Sequence, residues 1–138
     1  MPYQFDFDAA NRIARCRVSG HVTDEDLKHF YTDAGKFVTL TDPRAGLLDF
    51  SAATSFQVSP QTIHDLAKLP PAMPDPARPR VVVAPTPLVF GMMRMFEMVG
   101  EKARPRFHVV STELEAWSIF GVQEPRFEPF GEGWQPKP

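Results

Sequence analysis

The sequence contains few of the features that mark secreted or membrane proteins. It has 138 residues and a single cysteine, which cannot form an internal disulfide bond, so we expect a protein of the reducing cytoplasm. No segment approaches the roughly 18 uninterrupted apolar residues of a membrane span. The first six residues lack the basic lead and the apolar run of a signal peptide. We therefore expect a soluble chain without a membrane span.

An excess of positive charge is also missing. The chain has 15 Lys and Arg against 17 Asp and Glu, which gives a formal net charge of −2 at pH 7. A surface that binds nucleic-acid phosphates needs a concentrated surplus of Lys and Arg, and no segment supplies one. We therefore expect no nucleic acid among the partners of this protein.

Motifs for catalysis and for cofactor binding are absent as well. The four histidines are His21, His29, His64 and His108. None lies three or four residues from another histidine or from Cys16, the spacing that a local zinc site uses. There is no glycine-rich phosphate loop, no nucleophile elbow and no dinucleotide-binding fingerprint. The sequence thus predicts no metal, no cofactor and no catalytic residues.

What the sequence does contain is a regular succession of strand and helix patterns. Residues 3–7 and 14–18 alternate between apolar and polar, which predicts an antiparallel hairpin that turns over residues 8–12 and ends at residues 19–20. Apolar runs over residues 45–50 and 81–84 predict strands buried on both faces, and residues 107–110 predict a final strand. Polar and small residues predict a loop over residues 51–58.

Four segments begin with a residue that caps helices, and apolar residues at helical spacing follow each of them. These N-cap residues are Thr23, Ser59, Thr86 and Thr112. The five prolines between residues 70 and 79 predict a surface crossover after the second helix.

The order of these elements predicts an α/β fold with a mixed, mostly parallel sheet of about five strands. An N-terminal antiparallel hairpin precedes the parallel strands, and about four helices connect them. The length suits one domain, which we place at residues 1–122. Residues 123–138 form a segment rich in proline and aromatic residues, and we expect part of it to dock through Phe127, Phe130 or Trp134.

This order resembles the STAS domain, which is the fold of the SpoIIAA-type anti-sigma-factor antagonists, and more closely the SpoIIAA-like family of small bacterial proteins. The resemblance spans nearly the whole chain, from residue 3 to about residue 121. It is carried by residues 18–23, 47–51, 81–86, 91–97, 107–110 and 115–117. The resemblance implies this fold, and a role in regulation or in binding an apolar ligand more than in catalysis.

The resemblance weakens at the serine that partner-switching STAS proteins phosphorylate, which lies in a short Asp-Ser-Ser/Thr-Gly stretch. The matching stretch here has Gln57 in the place of the aspartate and Val58 in the place of the phosphorylated serine. Ser59 is displaced by one position and is already explained as a helix N-cap. We favour the capping role for Ser59 and keep its phosphorylation as the alternative.

Two charged residues interrupt apolar segments and are candidates for binding a partner or ligand. Asp49 lies in the middle strand, where we favour hydrogen bonds that organise the loop at Ser51 over a ligand contact. Arg94 interrupts the third helix, where it can pair with Glu97 or bind a carboxylate or phosphate. Thr86 begins that helix after a parallel strand, a place where ligands bind in open α/β sheets, although capping alone explains it.

The third helix is apolar almost all the way round, with Phe90, Met93 and three further methionines. We expect its surplus apolar face to form either a homodimer contact or the wall of an apolar pocket.

Three functions remain open at this point. The favoured one is a non-enzymatic, STAS-like regulatory module that binds a protein partner or itself through the third helix. The alternative is a carrier or sensor of a small apolar or lipid-like ligand beside residues 87–100, whose polar end meets Thr86, Asp49 or Arg94. An enzyme that uses Ser51 or His64 is the least favoured of the three.

Overall fold

The computed structural model describes residues 2–130, and within them six strands form one mixed sheet in the order β5-β4-β3-β2-β1-β6. The strands are β1 Tyr3–Asp8, β2 Ile13–Thr23, β3 Ala45–Gln57, β4 Arg80–Val83, β5 Phe107–Val110 and β6 Glu128–Pro129. The helices are α1 Asp24–Thr41, α2 Pro60–Ala67, α3 Pro87–Val99 and α4 Glu113–Phe120. Strands β2 to β5 are parallel neighbours, whereas β1 pairs antiparallel with β2 and with β6. The predicted α/β class, hairpin and four helices are confirmed.

All four helices begin at the predicted cap residues. Thr23 accepts a hydrogen bond from the backbone of Asp26, whose carboxylate accepts one from Thr23 N, so this cap is reciprocal. Ser59, Thr86 and Thr112 each accept a hydrogen bond from the backbone N–H three residues later. No helix within residues 2–130 is long and apolar enough to cross a membrane.

The ends of β2 and β3 differ from the prediction, because both strands continue beyond it. The expected loop over residues 51–58 is strand as far as Gln57, and β2 runs past residues 19–20 to Thr23. The cause is mutual pairing, since Ser19 lies opposite Ala52 and Thr23 lies opposite Gln57. Small and polar residues lack the apolar pattern of a strand, but cross-strand pairing overrides their weak local preference. Residues 19–23 and 52–57 are called the β2–β3 ribbon below.

The two faces of the sheet are covered unequally. Helices α1, α2 and α3 cover one face, and the core beneath them is the larger one, centred on Phe50, Val22 and Ile63. Helix α4 covers the other face only along β3, β4 and β5, where Val83 and Ala116 are fully buried. The part of this second face formed by β1 and β2 carries charged side chains instead.

The described part of the C-terminal segment, residues 123–130, packs against the sheet. Strand β6 pairs with β1, and the ring of Phe130 lies 4.8 Å from that of Phe37 on α1. The ring of Phe127 lies under the guanidinium group of Arg15 at 3.9 Å. The pairing of β6 adds a sixth strand to the predicted sheet. The predicted docking through Trp134 concerns a residue that lies outside the described residues.

Candidate functional site

The carboxyl ends of β2 to β5 meet at one edge of the sheet, and all four helices begin there. Asp49 lies at this edge and is buried, with 4% of its surface exposed. Its Oδ1 accepts a hydrogen bond from the backbone N–H of Ser51 at 2.8 Å, which is the structural role that the sequence favoured for it. Ser51 itself is exposed and lies in β3 rather than in a loop.

A second carboxyl group meets Asp49 from the first turn of α4. The pKa of Glu113 is raised to about 7. Burial is the largest cause, followed by the hydrogen bond with Asp49 and by the negative charge of Asp49. A carboxylate in contact with another negative charge ionises less readily, which is why Asp49 adds to the effect of burial on Glu113. Arg15 moderates the effect, because its Nη1 lies 3.6 Å from a carboxylate oxygen of Glu113.

The charged part of this face centres on a buried aspartate that the sequence analysis missed. Asp6 has 1% of its surface exposed, and its Oδ2 accepts hydrogen bonds from Arg15 Nε at 3.1 Å and from Arg17 Nε at 2.9 Å. The alternating pattern of β1 predicts that Asp6 lies on the polar face of the hairpin, but it does not predict that Asp6 is buried. The burial follows from its position opposite Arg15 in the hairpin register. Asp6, Arg15 and Arg17 are called the Asp6 cluster.

The predicted site residues of α3 point in different directions. Thr86 is exposed and caps the helix, Phe90 is half-buried, and Met93 is buried in the core. Arg94 is exposed and pairs with Glu97 at 2.6 Å, one of the two roles predicted for it. These residues therefore do not form one pocket with Asp49 and Ser51.

Exposed apolar side chains lie at the same edge as the helix N-termini. Leu88, at the start of α3, has 55% of its surface exposed, and Leu114, at the start of α4, has 76% exposed. The strands that lead into these helices are paired, with Val83 opposite Val110. Leu88 and Leu114 therefore lie in the first turns of helices that follow neighbouring strands, one on each face of the sheet, and they are called the apolar edge.

Ser59 is held in a capping network between α1 and α2. Its hydroxyl accepts a hydrogen bond from Thr62 N at 3.2 Å, and its backbone N–H donates to a carboxylate oxygen of Asp24 at 2.8 Å. This backbone hydrogen bond lowers the pKa of Asp24. A phosphate on Ser59 would lie close to that carboxylate, so phosphorylation would oppose the contact between the two helix starts.

A cavity of about 160 Å³ lies between the sheet and α1, and two buried arginines that the sequence did not single out line it. Arg80 begins β4, and Arg104 follows α3. Of the six predicted binding residues, only Met93 lines this cavity. Neither arginine interrupts a helical or alternating pattern, so no local signal distinguishes it from a surface residue.

No protein family model and no curated protein matches this sequence. The solved structures that match its fold include two of SpoIIAA. The anti-sigma factor antagonist SpoIIAA in its unphosphorylated form has a TM-score of 0.58 at 10% identity, with 88% of this chain and 99% of that chain covered. The Bacillus cell fate determinant SpoIIAA in its phosphorylated form has a TM-score of 0.52 at 14% identity, with 84% and 96% covered. The chain therefore has the SpoIIAA, or STAS, fold that the sequence resemblance implied.

Proposed function

We propose that this protein is a non-enzymatic regulatory module of the cytoplasm that works by binding another protein chain. The observation that carries the proposal is its fold, since almost the full length of SpoIIAA, which is named an anti-sigma factor antagonist, superposes on this chain. That name describes action through a protein partner. A fold alone does not determine function, so the proposal also needs a surface suited to protein contact.

The apolar edge supports such a contact. Single exposed apolar residues are common on protein surfaces, but Leu88 and Leu114 both lie at one sheet edge, in the first turns of helices that follow paired strands. The β2–β3 ribbon extends the same edge, and Ala52 and Thr54 in it are small and exposed. Apolar side chains beside small exposed residues allow a partner chain to approach closely.

A second copy of this chain is the partner that we propose first. The sequence favoured a homodimer through α3, and three large apolar side chains of α3 are exposed, Leu88 at its start and Met98 and Val99 at its end. A twofold contact would bury the same residues on both copies. A different partner protein on the same surface is the other outcome that the experiment below separates.

Site-specific photo-crosslinking tests the proposal. A photo-reactive amino acid is placed at Leu88, at Leu114 or, as the control, at Lys36, which is exposed near the far end of α1. We expect a covalent adduct from the first two positions and none from Lys36. Mass spectrometry then shows whether the attached chain is a second copy or another protein, and the adduct is reproduced with purified components.

Two results would contradict the proposal. One is the absence of any protein adduct from Leu88 and Leu114 in cells that produce the protein at its native level. The other is equal crosslinking from all three positions, because that pattern reports random collision instead of a defined surface.

A further inference from the structure

Arg80 is a buried cation without an anionic partner among the described residues. It has 9% of its surface exposed, and its Nη2 donates to the carbonyl oxygens of Met73 at 2.8 Å and Asp75 at 2.6 Å. Its Nε and Nη1 are buried and have no hydrogen-bond partner. The carboxylate of Asp75 is engaged by Arg78 at 3.3 Å. Three N–H bonds of the Arg80 guanidinium group are thus without an acceptor.

A second buried guanidinium group lies near the first. Arg104 has 4% of its surface exposed and donates to the carbonyl oxygens of Ala67 and Leu69 and to the hydroxyl of Tyr31. None of these acceptors carries a negative charge. Burial lowers the pKa of Arg80, and the positive charge of Arg104 lowers it further. Arg80 and Arg104 are called the Arg80 pair.

Both arginines line the cavity of about 160 Å³, and none of the described residues around it is acidic. Arg15 also lines the cavity, but Asp6 already neutralises it. The remaining lining is almost entirely apolar and includes Phe30, Phe37 and Met93. A cavity of about 150 Å³ with an apolar lining is large enough to bind benzene. The space therefore suits a hydrocarbon group of about six carbons.

An isolated buried charge costs several kcal/mol unless an opposite charge or hydrogen bonds compensate it. Other proteins meet the same requirement with a carboxylate, because its oxygens accept charge-assisted hydrogen bonds from a guanidinium group. We infer that the cavity binds a small monocarboxylate, whose head group accepts hydrogen bonds from Arg80 and whose apolar tail lies among the aromatic rings. This site is separate from the apolar edge, so its test is independent of the proposed function.

Phenylacetate is a suitable probe, because it joins a carboxylate to a tail of benzene size. Phenylacetamide has nearly the same shape without the charge, and acetate has the head group without the tail. Isothermal titration calorimetry on the purified full chain measures all three. We expect phenylacetate to bind one to one, and each of the other two to bind at least about tenfold more weakly.

Three variants assign the binding to the cavity. Arg80→Met should weaken phenylacetate binding by at least about tenfold and abolish its advantage over phenylacetamide. Arg106→Met is the matched control, because Arg106 is exposed and also donates to a carbonyl oxygen of the crossover, that of Ala77. It should bind phenylacetate as the unmodified protein does. Ala34→Leu narrows the cavity and leaves both arginines in place, so it should weaken phenylacetate binding even if Arg80→Met does not fold.

The inference is overturned by any of three results. The first is equal affinity of the unmodified protein for phenylacetate and phenylacetamide, and the second is unaltered binding by Arg80→Met and Ala34→Leu. The third is no saturable binding of phenylacetate at about 10 mM, a concentration that would detect even weak millimolar binding.

Discussion

The Asp6 cluster and the Arg80 pair each hold two arginines against the same sheet, but only one of the two groups contains an acid. In the Asp6 cluster, Arg15 and Arg17 share one carboxylate at hydrogen-bond distance. In the Arg80 pair, every acceptor is a neutral oxygen, and two nitrogens of Arg80 have no acceptor at all. The difference separates a buried ion pair from a buried cation that has no counter-charge among the described residues.

The largest effect is expected when the acid of the first group is removed. Asp6→Asn removes the carboxylate that Arg15 and Arg17 share and leaves Arg15 with only the longer contact to Glu113, so we expect a loss of about 3 kcal/mol in the free energy of unfolding. Urea denaturation measures it. Asp65→Asn is the control, because Asp65 is exposed and its carboxylate accepts a hydrogen bond from Gln61 on its own helix, and it should change stability by less than about 0.5 kcal/mol. Equal effects of the two variants would show that Asp6 is not a buried ion-pair partner.

A smaller loss is expected when the space beside Arg104 is filled. A Cβ atom at Gly100 would lie 2.7 Å from Nη1 of Arg104, so Gly100→Ala should cost about 1–2 kcal/mol by displacing that guanidinium group. Gly91→Ala is the matched control, because nothing lies within 4 Å of a Cβ there and the residue is in the middle of α3. It should stabilise the protein by about 0.5–1 kcal/mol. Thermal denaturation that ranks the two variants the other way would contradict the placement of Arg104.

The carboxyl pair beside the Asp6 cluster should make stability depend on pH. The pKa of Glu113 rises from an ordinary value of 4.5 to about 7 on folding, so the folded chain binds more protons than the unfolded chain between these values. Its contribution to stability is therefore present below about pH 4.5 and is lost as the pH rises through about 7. Glu113→Gln should flatten this decline in a series of urea denaturation curves. A decline that is identical in the variant would assign it to another group.

The smallest effect on stability is expected at Arg80. Arg80→Met removes an uncompensated buried charge together with two hydrogen bonds to carbonyl oxygens, and these terms oppose each other. We expect a change of less than about 1 kcal/mol in the free energy of unfolding, measured by urea denaturation in the absence of small carboxylates. A loss as large as that of Asp6→Asn would show that the Arg80 pair is a structural counterpart of the Asp6 cluster.

The sequence predicted those features that depend on local chemistry. The caps at Thr23, Ser59 and Thr86 could be read directly, because an N-cap residue acts on backbone groups only two or three positions away. The extension of β3 to Gln57 could not be predicted from the sequence. Small residues have little strand preference of their own, and the pairing with β2 decides their conformation.

The same distinction applies to the candidate sites. Asp49 was noticed because it interrupts an apolar strand, and its hydrogen bond to Ser51 is local. Asp6 and Arg80 were missed because charged residues at the edge of a strand pattern are ordinary surface residues in most proteins. Their burial results from tertiary contacts, with Arg15, Arg17 and strand β6 for Asp6 and with the crossover over residues 70–79 for Arg80. Such contacts leave no periodic signal in the sequence.

The measurement that tests this comparison most directly is a nitrogen–proton NMR spectrum of the arginine side chains, recorded during a titration with phenylacetate. The Nε–H of Arg80 has no acceptor, whereas the Nε–H of Arg15 is bonded to Asp6. We expect the Arg80 signal to shift with saturation while the Arg15 signal stays in place. A spectrum in which the Arg80 signal does not move, or in which both signals move alike, would contradict the account.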